Sequence, residues 1–363
     1  MITTFAIDWL ALYCLVEQDG TQEQDATDLA PSQAIRLAPV VGLLHAKLES
    51  YGTRQYKYLY TIRREGEEVA YIQTSPHSPQ LNQKGAIVKF ANRVLYRPDF
   101  WTIVHEVLTS YNMVYQSISR VDLCKDFNEF LHGYQCEDMI FDFVCSRIRK
   151  KGRAVGTLAF RQTKEGLKYS GLSFGKHDSD TRVYLYDKTR ELSDVHDKPY
   201  IRDFWQVNGL DTSRHVWRLE VSLKAKALKF RDKATGEEIK HDYTENMDAW
   251  RGLYEIFERA LFTFVYPDNP NVSRCTLVEL LPNECNVIRA TLREVTGSGK
   301  FERMIVKSLA QMVNKYRYFA TLDKLPNRLD VERACSAFVD ACDLRTWYER
   351  KRKFWDDETR IPY

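Results

Sequence analysis

Two tyrosines, two arginines and a lysine fall close together in Thr181–Glu191, TRVYLYDKTRE. Apolar and polar side chains alternate from Arg182 to Tyr186, the pattern of a strand, so Arg182, Tyr184 and Tyr186 share one face. A phenol held beside cations is a nucleophile suited to a phosphodiester, because the cations favour its ionised form and attract the phosphate. Strands are also rich in tyrosine for packing alone. The other parts of such a reaction must therefore be sought along the chain.

Those parts are an activated phenolate, a phosphorus made more positive and a group that holds the leaving oxygen. An ordinary phenol, with a pKa near 10, is only about one-thousandth ionised at neutral pH, so a base or cations must help it. A hard divalent ion, Mg2+ or Mn2+, answers the second need, and carboxylates are its natural ligands. In Ser119–Phe127, SRVDLCKDF, strand alternation puts Arg120, Asp122, Cys124 and Asp126 on one face. The two aspartates lie about 13 Å apart along an extended strand, so both do not reach one ion without a bulge. Asp122, inside the strand beside Arg120, is the first choice of ligand, and Asp126 orients a water or stands behind it. Glu220, alternating with Arg218 in Trp217–Val221, is the second ligand. The eight histidines include no pair flanking one apolar residue, which favours carboxylates over a histidine site.

Ile7-Asp8-Trp9-Leu10, the strand bearing Asp122, Tyr186-Asp187-Lys188 and the strand bearing Glu220 follow one another in an order and spacing that resembles the replication initiation factor family. Its members include rolling-circle plasmid initiators and relaxases of some integrative conjugative elements. The resemblance covers roughly residues 5 to 230. It implies sequence-specific DNA nicking and strand joining through a 5′-phosphotyrosyl intermediate, with carboxylate-held metal and origin DNA as substrate. Tyr186 matches the family's tyrosine, with Tyr184 as its rival on the same face. Where Tyr184 stands, family members often carry arginine, a departure that leaves open whether Arg182 or Arg218 replaces that charge. Lys188 is expected to touch the phosphate or steady the phenolate. A binding-only protein that recognises a DNA hairpin without cutting it is the alternative.

A chain of 363 residues with 44% apolar content is globular in composition, and a net charge of +3 neither demands nor excludes nucleic acid. Local clusters must make that case: Arg149, Lys150 and Lys151, then Lys224, then Arg350, Lys351, Arg352 and Lys353 among aromatics, each expected with Arg120 to contact DNA. The eight cysteines show no metal-site spacing, and no long apolar run is present. The expectation is a cytoplasmic protein that does not engage membrane, with a host helicase and a second copy among its partners. No phosphate-loop motif argues for a built-in helicase.

The elements that must position these residues are a hairpin over 55–74, a strand over 86–96 and helices over 100–111 and 137–148. Strands near 155–161, 167–176, 181–188 and 215–224 follow. Their order predicts an α+β domain with a largely antiparallel sheet over 1–240. A mainly helical part over 241–363, with apolar stripes at 247–261 and 301–316 and a last helix over 329–350, is expected to bind DNA or a partner.

Overall fold

The structure, a computed structural model, describes residues 2–17, 36–152, 155–164, 166–176, 178–194, 197–231, 238–240 and 245–282, with Asp340 and Arg345 beyond. The chain divides into two compact units, residues 1–232 with 237–290, and residues 233–236 with 291–363. In the second, the described residues are Asp340 and Arg345, an ion pair. The helices expected over 301–316 and 329–350, and the Arg350–Lys353 cluster, lie outside the described residues.

The first unit is α+β. Its elements are β1 (Thr4–Val16), β2 (Val40–Val41), β3 (Leu44–Leu48), β4 (Tyr56–Arg64), β5 (Glu67–Pro76), β6 (Gly85–Phe90), α1 (Asn92–Leu95), α2 (Phe100–Ser110) and β7 (Met113–Phe127). They continue as α3 (Cys136–Val144), β8 (Arg149–Lys150), β9 (Gly156–Thr163), β10 (Gly166–Phe174), β11 (Thr181–Asp187), α4 (Lys188–Asp194), α5 (Pro199–Val207), β12 (Trp217–Lys224) and α6 (Met247–Leu261). Eleven strands form one sheet in the order β2-β3-β4-β5-β6-β1-β7-β12-β11-β10-β9, each described pairing antiparallel.

Period-two alternation gives this sheet two different faces. Leu123 and Val121 of β7, Leu219 and Val221 of β12, and Val183 and Leu185 of β11 are all buried on one of them. Helices α2, α3 and α6 cover that face. Trp101 of α2 stacks on Trp250 of α6, Tyr254 of α6 meets Phe5 edge-on, and Phe143 of α3 meets Phe174 edge-on. Helix α6 starts where the Asn246 side chain accepts the Asp248 amide, a cap worth about 1 kcal/mol. It buries Trp250, Tyr254 and Phe257 of the stripe read from the sequence, together with Leu253. The boundary expected at 240 therefore falls inside this unit, because α6 completes the cover of the sheet.

Local differences have local causes. Glu65 and Gly66 close the β4–β5 hairpin with φ of 50° and 86°, the left-handed pair that matches strand twist. The strand expected over 86–96 ends at Phe90, after which Asn92 opens α1 and turns its amide onto Asp8. Helix α3 ends at Val144 rather than Ile148, because Ser146 enters the left-handed region at φ 59°. Asp99 precedes α2 without capping it, its carboxylate being bound by Arg97 at 2.8 Å.

Candidate active site on the open sheet face

Directly opposed residues in antiparallel strands point to the same side, so the registers of β7, β12 and β11 lay out the second face row by row. Asp126, Arg218 and Tyr186 form one row; Cys124, Glu220 and Tyr184 the next; Asp122, Ser222 and Arg182 the third; Arg120 and Lys224 the fourth. Strand β1 joins this face through a bulge. Ile7 pairs with Leu123 and Trp9 with Asp122, so Asp8 is the extra residue, and Trp9 turns onto the face that Ile7 avoids. Bulges re-aim side chains in this way beside functional sites.

The inner end of the face is roofed by α1 and α5. Arg218, fully buried, holds Asp126 through two bonds of 2.7 Å and Asp8 through one of 2.6 Å. The Trp205 indole of α5 donates to Asp126 at 2.7 Å, and Tyr96 and Asn92 donate to Asp8. Burial would raise the Asp8 carboxyl, but Arg218 and Lys188, with those hydrogen bonds, hold it below the usual carboxylate range. This arrangement narrows two expectations. Asp126 is enclosed by Arg218 and Trp205, which places it behind the open site rather than on it. Arg218 is saturated by two carboxylates and does not replace the charge missing at Tyr184.

Beside this closed inner end the Tyr186 hydroxyl donates to Glu220 Oε2 at 2.9 Å, and Lys188 Nζ stands 3.5 Å from the same hydroxyl. Lys188, buried at the start of α4, also pairs with Glu191 and has its amide fixed on the Val216 carbonyl at 2.9 Å. Gly171 faces Tyr186 across β10 and β11. A Cβ there would lie 3.0 Å from the Leu185 carbonyl and 3.3 Å from Tyr186 Cβ, so the glycine leaves the tyrosine its room. Burial, with Glu220 adding to it, pushes the Tyr186 phenol well above its ordinary value. Such a phenol reacts only if a base takes its proton. Glu220 is placed for that: burial, then repulsion from Asp8 and Asp122, push its carboxyl up to about 7 against the pull of Arg218. Tyr184, raised by burial, lies opposite Glu220 with Arg182 over its ring at 4.6 Å, and Arg182 is thus the cation beside it.

Asp122 is buried and gripped by Arg120 through bonds of 2.9 and 2.6 Å. Among the described residues no three of His, Cys, Asp and Glu form a ready-made metal-binding group. The oxygen chemistry nonetheless suits a hard cation. Asp8 and Asp122 each repel Glu220 electrostatically, and Glu220 Oε1 has no hydrogen bond among the described residues.

Lys224 joins Arg120 on this face by register, whereas Arg149, Lys150 and Lys151 do not. Strand β8 pairs with Phe264–Val265, Lys150 lies over Phe174 at 5.1 Å, and the Lys151 amide bonds Thr263. These cations border the aromatic cluster on the helix-covered face, away from the open face that carries Tyr186. Asp8, Tyr96, Asn92 and Trp205 were absent from the sequence-based set. For Asp8 a signal existed, an acid in the middle of an apolar strand.

No family model matches this chain, and no curated protein matches it. Among the described residues, no helix is long and apolar enough to cross a membrane. A rolling circle replication initiator protein from Geobacillus stearothermophilus has a solved structure similar to this one at TM-score 0.40 and 12% identity, over 76% of this chain and 92% of that one.

Proposed function

We propose that this chain is a DNA nicking and strand-joining enzyme in which Tyr186 is the nucleophile and Glu220 its base. The observation that carries the reading is the Tyr186 hydroxyl on Glu220 at 2.9 Å with Lys188 at 3.5 Å, at the inner end of a sheet face bordered by cations. Tyr186 Oη forms a bond to phosphorus as the bond from phosphorus to the 3′ oxygen breaks. The phenolic proton passes to Glu220, and the leaving oxygen takes a proton from water to become a free 3′ hydroxyl. One phosphodiester replaces another, so the bond energy is retained, no nucleotide is consumed, and attack by a 3′ hydroxyl reverses the step. Lys188 steadies charge on the phenolate oxygen. Mg2+ or Mn2+ belongs to the same proposal: Glu220, Asp122 and Asp8 would hold it, and it would make the phosphorus more electrophilic. Origin DNA of a rolling-circle or conjugative element is the substrate this chemistry serves.

The test is incubation with labelled single-stranded origin DNA and manganese, followed by denaturing electrophoresis and peptide mapping. The expected result is a covalent adduct on the peptide holding Tyr186. Binding without any adduct would leave the sheet as a hairpin-binding platform.

Glu220 also predicts a pH dependence. It accepts the proton only when ionised, so cleavage should rise with pH as Glu220 ionises and level off at or below about 7, because a cation held by Glu220 would lower its carboxyl. Its folded value lies above the ordinary 4.5, so between the two the folded chain holds a proton that the unfolded chain has released, and stability falls as pH rises through that window. Glu220→Gln is expected to lose cleavage yet melt higher than the parent at about pH 8, the gap closing towards about pH 4. Full cleavage by this variant, or a melting difference independent of pH, removes Glu220 from the role.

A further inference from the structure

Among the described residues, four cations stand at the outer end of the open face, and one of them has an acidic partner there. Lys89 of β6, Ala11 of β1, Arg120 of β7 and Lys224 of β12 are opposed in register, one row across four strands. Arg182 lies in the neighbouring row beside Ser222. Arg120 is bound to Asp122, but Lys89, Lys224 and Arg182 make no ion pair among the described residues, and the Arg182 Nε is buried without a hydrogen bond. Trp9 organises the row: Lys89 Nζ lies 3.8 Å and Arg120 Cζ 4.8 Å from its ring centroid. Half-burying an unpaired lysine beside an arginine costs stability. Burial, then Arg120, accordingly depress the Lys89 ammonium. A fold keeps such a cost where an anion offsets it.

We infer that Lys89, Arg120, Lys224 and Arg182, steadied by Trp9 and Tyr184, form a track for consecutive backbone phosphates of single-stranded DNA leading to Tyr186. This rests on the nicking reading above and extends it to the path of the substrate. The rows give the path a direction. The Tyr186 end is closed by Trp205, Tyr96 and Arg218. The strand therefore crosses the open end at Trp9 and Arg120 before the scissile phosphate meets Tyr186.

The track is tested with Lys89→Met and with Lys84→Met, an exposed lysine of the turn before β6, as control, each in a Tyr186→Phe background so that no cleavage intervenes. Binding of a labelled single-stranded oligonucleotide is measured across salt, with thermal melting of each protein. Lys89→Met is expected to melt at or above its parent. It should bind on the order of fivefold more weakly at about 0.1 M salt, with the log–log salt slope flatter by about 0.7 for the lost contact. Lys84→Met should change neither. Unchanged affinity and slope in Lys89→Met, or an equal loss in the control, overturns the track. The two readings fail separately: cleavage by the unmodified chain with unaltered Lys89→Met binding removes the track alone, and weakened binding with no cleavage removes the nicking chemistry alone.

Discussion

Tyr186→Phe is expected to lower single-turnover DNA cleavage by on the order of 10⁴-fold or more, the scale of losing a nucleophile, while leaving the fold and DNA affinity nearly unchanged. The ring still packs between Gly171 and Arg218, and only the oxygen on Glu220 is removed. That hydroxyl's hydrogen bond pulls the Glu220 carboxyl down, so its loss raises Glu220 further and leaves the acid protonated at neutral pH rather than unpaired. Tyr184→Phe is the necessary companion. Its phenol lies beside Arg182, and its opposite neighbour Glu220 is already engaged by Tyr186, so it should cleave within about tenfold of the parent, a change too small for a lost nucleophile. A dead Tyr184→Phe with an active Tyr186→Phe moves the nucleophile two residues along β11. Cleavage by both ends the tyrosine mechanism.

What the sequence made legible follows from how local the physics is. Strict alternation in β7, β11 and β12 identified the faces on which Arg120, Asp122, Glu220, Tyr184 and Tyr186 stand, because a strand's period is a property of its own residues. The helical stripe of α6 was equally plain. Partner choice across strands was not legible. Asp122 and Asp126 look alike in the sequence, yet register puts Asp126 opposite Arg218 under Trp205, while Asp122 lies one bonded arginine from solvent. Asp8 reaches the site through a bulge, a feature without a sequence signature here. Lys89 comes from β6, and in the sequence nothing ties it to Trp9 of β1. The place of Lys150 was not legible either: pairing of β8 with Phe264–Val265 sets it on Phe174, away from the open face.

The largest effect on stability is expected from Arg218→Met. The guanidinium is fully buried and binds Asp126 twice and Asp8 once, so its removal leaves the buried Asp126 with a neutral donor and the partly buried Asp8 with only Lys188 nearby to offset its charge. Breaking a buried ion network by deleting one partner costs about 3–5 kcal/mol, because the stranded charge keeps its desolvation penalty and loses its attraction. Arg218→Lys should recover only part of this, since an ammonium cannot reproduce the two parallel bonds to Asp126. The charge origin of the loss has its own signature. In the parent, Asp8 is held ionised by Arg218 and Lys188, and that contribution is present above the unfolded carboxylate value and lost as pH falls through the folded one. In Arg218→Met the same carboxyl rises, so lowering the pH from about 7 to about 4 should protonate it and narrow the gap to the parent. Urea melts of both proteins at the two pH values measure this directly. A deficit under about 1 kcal/mol, or one that does not shrink in acid, would mean that the network is solvated rather than sealed. Cleavage supplies an independent reading. Arg218 is the cation that pulls the Glu220 carboxyl down, so in folded Arg218→Met the pH at which cleavage levels off should move upward from the parent's.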